Sequence, residues 1–182
     1  MLAELAFMAD DPLDALEKEA RTALELNPNL AEAHDIIGQI AGIKGDLESY
    51  VRHIEAAYRL DPLSPQSIRY LGHAYFIAGR YEDALAHWNR TLHLEPLNSY
   101  RGLADYYIAK GDLVKAGAMV KELERIGPTN RSTYLSRGYL AALQGDKATA
   151  VEAIEKGANG FLCKPFTDRQ LNDALHELLM DA

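Results

Sequence analysis

PQSIRYLGHAYFIAGRYEDALAHWNRTLHLEPLN, residues 65–98, carries two runs of apolar residues at helical spacing with a Gly-Arg pair between them. In the first run Ile68, Leu71, Gly72 and Tyr75 fall at i, i+3, i+4 and i+7, one stripe of an α-helix. In the second, Tyr81, Ala84, Leu85, Trp88 and Leu92 form a similar stripe. Gly79 stands where the chain must turn back, because glycine tolerates the positive φ that closes a helix. Pro96 stands where the second helix must stop. The stretch predicts a helical hairpin with its apolar stripes turned inward.

The same hairpin recurs on both sides. LELNPN (24–29), YRLDPL (58–63) and LHLEPL (92–97) place prolines at 28, 62 and 96, each 34 residues from the last. KGDL (44–47), GRY (79–81), KGDL (110–113) and QGDK (144–147) place glycines at 45, 79, 111 and 145, at intervals of 34, 32 and 34. The short interval predicts that the helix after Pro96 has lost two residues from its start. A fixed period of this length is the mark of stacked helical hairpins, none of which can bury its apolar face alone. Five repeats are expected over residues 1–156, at roughly 1–30, 31–64, 65–96, 97–130 and 131–156. The first is clipped, since residues 1–10 supply only the end of a first helix; this suits a natural N-terminus and a piece of a longer protein equally. Gly38 and Gly72, again 34 apart, sit in mid-helix, where glycine costs about 1 kcal/mol relative to alanine. They predict close approach of a neighbouring helix.

This arrangement resembles the tetratricopeptide-repeat family. The match is fullest from Pro65 to Asn98, through Leu71-Gly72, Tyr75, Gly79, Tyr81, Ala84, Trp88, Thr91 and Pro96. Neighbouring repeats carry it through Ile37-Gly38, Ala41, Tyr50, Ile54, Ala57 and Pro62, and through Leu103-Ala104, Tyr107, Ala116, Val120, Leu123 and Pro128. The resemblance implies an all-α right-handed superhelix of about five stacked helix-turn-helix repeats with a C-terminal capping helix. It implies protein binding in a concave groove made by the first helices, with a peptide or a partner helix as the ligand.

The stripe of each first helix opposite its second helix names the groove positions. These are Glu32, Asp35, Gln39 and Ile43, then Gln66, Arg69, His73, Phe76 and Ile77, then Arg101, Asp105 and Ile108, then Leu135, Tyr139 and Leu143. Gln39, Arg69, His73, Phe76, Arg101, Asp105 and Tyr139 are the partner-contact candidates. Arg69 and Arg101 hold matching positions in consecutive repeats, which suits a grip on a carboxylate; pairing with Asp35 or Asp105 is the competing outcome. Chaperone-binding members of the resembled family clamp a partner's carboxyl terminus with paired Lys and Asn. Here the matching positions hold Asp35 with Gln39 and Arg69 with His73, which does not support that clamp. Tyr106 and Tyr107 are adjacent, point to different faces of one helix and cannot both be core.

Composition narrows the class. Hydrophobic residues make up 48% and charged residues 25%, the balance of a globular protein. The net charge of −8 would be repelled by a phosphate backbone, and no basic run offsets it, so nucleic acid is not an expected partner. No segment approaches the roughly 20 apolar residues of a membrane span, and Met1–Asp10 lacks a basic signal region. The expectation is a cytoplasmic protein without membrane insertion, its oligomeric state left open. The histidines at 34, 53, 73, 87, 93 and 176 show no metal spacing, and no nucleophile elbow, phosphate loop or dinucleotide fingerprint appears. Lone Cys163 reads as a small apolar residue. No catalytic residue, metal or cofactor is expected, and the chain reads as a non-enzyme.

The repeat ends at GANGFLCKPFTDRQLNDALHELL, residues 157–179. Together with the helical run before it, from Ala148, it resembles the last helix, strand and Lys-Pro-Phe of a response-regulator receiver domain, a resemblance that would set Lys164 against a phosphoryl group. The aspartates such a domain requires are missing. A cap fits better: residues 157–182 read as a turn and a C-terminal capping helix, opened by the capping box of Thr167 and Gln170, with Leu171, Ala174, Leu175 and Leu178 along one face. An alternative to a free-standing scaffold is the sensory or regulatory segment of a larger bacterial signalling protein.

Overall fold

The computed structural model describes residues 12–153, 155 and 156. Among them lie nine α-helices and no strand: α1 (Pro12–Leu26), α2 (Ala31–Lys44), α3 (Leu47–Leu60), α4 (Pro65–Ile77), α5 (Tyr81–Thr91), α6 (Pro96–Ala109), α7 (Leu113–Ile126), α8 (Arg131–Leu143) and α9 (Lys147–Ala153). The chain divides into two compact units, Met1–Arg80 and Tyr81–Ala182. The clipped first helix, residues 161–163, Lys164 and the capping helix lie outside the described residues.

The turn inside each hairpin is built the same way. Gly45, Gly79, Gly111 and Gly145 have φ of 81°, 75°, 74° and 76°, and among the described residues no other position has positive φ. In each case the next residue donates its N–H to the carbonyl five residues back: Asp46 to Ala41, Arg80 to Tyr75, Asp112 to Tyr107 and Asp146 to Ala141, at 2.8–2.9 Å. This pattern satisfies the carbonyls that a helix end leaves open. The aspartate after the glycine then opens the following helix. Asp46 accepts from the Ser49 N–H at 3.0 Å, Asp112 from Lys115 at 3.1 Å and Asp146 from Thr149 at 3.1 Å. The Gly-Asp pair is thus a stop and a start in consecutive residues. Arg80 replaces the aspartate in one turn, and its guanidinium instead reaches Glu55 at 3.1 Å and stacks on Tyr75.

The 32-residue interval is absorbed differently from the sequence expectation. The helix after the proline is not shortened: α6 runs a full 14 residues, starting on Pro96 itself. Proline is well placed at a first helical position, where its missing N–H would have no partner. The loss falls on α5, which has 11 residues against 14 in α3 and α7. Its last carbonyl, on Thr91, accepts from both Leu94 and Glu95 at 2.9 Å, and the Thr91 hydroxyl lies 3.2 Å from that of Ser99 on α6.

Two hairpins, α2–α3 and α6–α7, are each closed by the next first helix of their own unit. In the first unit Ala20 of α1 packs on Ala33 and Ile37 of α2. Ala41 of α2, Tyr50, Val51 and Ile54 of α3, and Leu71 and Ala74 of α4 then form one cluster. In the second unit Ala104 and Ile108 of α6, Ala116 and Val120 of α7 and Leu140 of α8 repeat that arrangement. Lys44 ties α2 to α1 through Asp14 at 2.6 Å and Glu17 at 2.7 Å. The close approach expected at Gly38 is present: a Cβ there would lie 2.7 Å from Ile54 Cδ1. Gly102, which carries no repeat signal, is tighter still, since its Cβ would lie 2.1 Å from Cε2 of Trp88.

Two glycine substitutions separate backbone strain from steric contact. Gly45→Ala meets nothing within 4 Å, so it costs only the left-handed backbone penalty of about 1 kcal/mol and lowers the melting midpoint by ~2–4 °C. Gly102→Ala drives a methyl into the indole, a fixed aromatic ring, costing about 3 kcal/mol or more and ~6–12 °C. Fluorescence of the single tryptophan, Trp88, reports the second loss directly. Equal midpoints for the two variants would show that α5 and α6 are not held at this distance.

Candidate partner-binding face

The repeat intervals align two positions one helical turn apart on each first helix. One holds Asp35, Arg69, Arg101 and Leu135, the other Gln39, His73, Asp105 and Tyr139. Residues i and i+4 share a helix face, so each helix presents its pair together.

In the first unit each of these side chains has its own polar contacts. Asp35 is only 6% exposed; its Oδ2 accepts from the Ser67 hydroxyl of α4 at 3.2 Å, and its Oδ1 has no hydrogen-bond partner among the described residues. Burial pushes this carboxyl above its ordinary range, against the pull of the Ser67 hydrogen bond, His34 and Arg69. Gln39 donates to the Asp35 carbonyl at 3.3 Å. His73 is exposed, and its Nδ1 lies 3.1 Å from the hydroxyl of Tyr50, a buried phenol on α3. Burial raises that phenol's pKa, so it stays protonated, and the direction of the hydrogen bond follows the His73 tautomer. Arg69 is exposed and rests 4.7 Å from the Tyr70 ring centroid; its Nη2 donates to the Tyr70 hydroxyl at 2.9 Å and to Gln66 Oε1 at 3.4 Å. No carboxylate among the described residues pairs with it. Tyr70, the platform that fixes this guanidinium, was not a sequence candidate, although Gln66, Arg69 and Tyr70 at i, i+3 and i+4 were its signal. Phe76 corrects the sequence expectation: it is 4% exposed and is a packing residue, because its place in α4 falls on the buried side.

In the second unit the arginine is engaged differently. Arg101 Nε lies 3.8 Å from Asp105 Oδ2 one turn later, so this arginine has a carboxylate neighbour where Arg69 has none. The Asp105 side chain is 21% exposed. Desolvation pushes its pKa up to about 6, with Arg101 pulling the other way. Tyr139 of α8 is half-buried against Ala104, Ile108 and Val120. Tyr106 is buried, with its hydroxyl donating to Glu82 at 3.1 Å, while half-buried Tyr107 carries the Lys115 ammonium over its ring; the two rings meet edge to face with centroids 5.3 Å apart.

A histidine pair joins α2 to α3 away from this face. His34 Nε2 lies 3.2 Å from the Pro28 carbonyl, which can only accept, so Nε2 carries the proton. His34 Nδ1 is then the acceptor for His53 Nδ1–H at 3.1 Å. Burial, then the charges of His34, Arg52 and Arg21, hold His53 below its ordinary pKa of 6.5, opposed by Glu17. Among the described residues no three of His, Cys, Asp and Glu are grouped to hold a metal, and no helix is long and apolar enough to cross a membrane.

A depressed histidine pKa means that the folded chain binds fewer protons than the unfolded one. Stability is therefore full above about pH 6.5 and falls as pH drops through that value. His53→Gln keeps a donor for His34 and removes the titration. Between pH 7.5 and 5.5 the melting midpoint of the natural chain should fall by more than that of His53→Gln. Parallel losses would show that the pair does not resist protonation.

No family model matches the chain. It is 23% identical over 162 residues to a DnaJ homolog subfamily C member 7 homolog of Schizosaccharomyces pombe, an alignment covering 82% of this chain and 33% of that protein. The chain thus spans about a third of the length of that curated relative. Among solved structures it superposes on the Cut9–Hcn1 hetero-tetramer of the APC/C with a TM-score of 0.72, at 15% identity over 93% of this chain and 34% of that one. A thermophilic TPR protein of Thermus thermophilus gives 0.66 at 22% identity, covering 84% of this chain and 82% of the other. MamA gives 0.59 at 20% identity, covering 83% and 95%. With the 34-residue period and the repeated Gly-centred turn, these likenesses establish that the chain has the tetratricopeptide-repeat fold.

Proposed function

We propose that this chain is a non-catalytic scaffold that binds a partner protein, taking a peptide or a helix on the faces of its first helices. The observation that carries the reading is Arg69. It is exposed, has no carboxylate partner among the described residues, and is held in place by the Tyr70 ring and two hydrogen bonds. A guanidinium fixed in this way loses little freedom when it meets a ligand, and its remaining N–H groups suit a carboxylate or a main-chain carbonyl. Gln66, His73 and Gln39 lie on the same face and can take up polar groups of an extended chain. Repeat helices already locked by their turns and cores would bind with little rearrangement.

The test is affinity of a captured partner for Arg69→Ala. Loss of one charge-assisted hydrogen bond pair should weaken binding by about tenfold. The melting midpoint should stay within a degree or two, since Arg69 packs on the surface. Unchanged affinity would remove the α4 face from the binding surface.

A further inference from the structure

We propose that Asp105 is a seat for a cation, the side chain of a Lys or Arg on a peptide lying against α6 and α8 of the second unit. This rests on the scaffold reading above and names the chemistry of one contact. Among the four residues at this repeat position, Gln39 hydrogen-bonds to a backbone carbonyl, His73 to the Tyr50 hydroxyl, and Tyr139 packs on the core. Asp105 differs. Among the described residues no hydrogen bond reaches it, and its ion-pair neighbour, Arg101, stands off at 3.8 Å, beyond hydrogen-bonding distance.

The carboxylate is nevertheless withdrawn from water, with its side chain 21% exposed. A donor arriving at that opening would complete a charge-assisted hydrogen bond where solvent screens it weakly, and the desolvation of Asp105 has already been borne in folding. Tyr139 of α8, partly buried against the cluster that holds Ala104 and Ile108 of α6, offers in the same unit an aromatic surface of the kind that Lys and Arg stems cover. An anionic ligand would meet the Asp105 charge instead. The net charge of −8 also draws a basic segment in preference to an acidic one.

A proton competes with the cation for this seat. The charged group that acts on Asp105 is Arg101 on its own helix, while Glu82 of α5 is turned to Tyr106 and Lys110. With the carboxyl titrating at about 6, the cation-accepting form is complete at pH 7.5 and reduced about tenfold at pH 5. Basic-peptide binding should therefore strengthen as pH rises through about 6 and then level off.

The probe is an array of histidine-free 15-residue peptides, exposed to the full chain at pH 7.5 and 5.0, with circular dichroism verifying the helices at both. Lys and Arg should be enriched among binders at pH 7.5, with about tenfold weaker capture at pH 5.0. Asp105→Asn, close in shape and uncharged, should lose the enrichment while melting no lower than the natural chain. Binders without basic enrichment, capture independent of pH, or equal capture by Asp105→Asn would overturn the cation seat and leave peptide binding standing. An absence of binders would overturn both readings.

Discussion

The structure depends on a two-residue device, a glycine in the left-handed region followed by an aspartate that caps the next helix. Four times the chain reverses on it, with φ between 74° and 81° and the same backbone bond to the carbonyl five residues back. Because the device has one geometry, the chain leaves each first helix by the same route. The apolar stripes then meet within the hairpin, and the next first helix of the unit covers what remains. Three of the four turns use Asp, and the one with Arg80 recovers its anchorage through Glu55 and Tyr75.

A repeated turn has a second consequence. If one stripe of each first helix is spent on the hairpin and another on the following repeat, the positions left over recur at the repeat interval too. Several of these positions carry polar residues whose needs the fold meets incompletely. Among the described residues Asp35 keeps one oxygen without a hydrogen-bond partner, Asp105 has a distant arginine, and Arg69 has an aromatic platform and no acid within ion-pair distance. Ile54, Ala57, Ala74, Ala104 and Ala116, by contrast, are fully enclosed and apolar. A surface that only faced water would have no reason to hold a carboxylate as withdrawn as Asp105.

The fold was readable because its determinants are local. Gly45, Gly79, Gly111 and Gly145 mark the turns in the sequence, the prolines mark the connections, and i, i+3, i+4 stripes mark the faces. The missing two residues were placed on the wrong helix because spacing counts residues but does not say which helix end unwinds; Pro96 at a first helical position and the double hydrogen bond on Thr91 decided it. The candidate face was legible as a set of positions and less so as an environment. Phe76 falls in the stripe yet is buried, and Arg69 and Arg101 look equivalent in the alignment although only Arg101 has an acid one turn away. Gly102 and the His34–His53 pair depend on contacts between helices, which no periodicity reports.

The most direct test of the account is the footprint of a bound peptide, mapped by amide chemical-shift changes across the assigned chain. The account predicts that within a unit the shifts concentrate on the first helices, at residues 35, 39, 69 and 73 of α2 and α4 or at residues 101, 105, 135 and 139 of α6 and α8. A footprint on the outer surfaces of α3, α5 and α7 would contradict it, because those helices would then carry the recognition assigned here to the first helices.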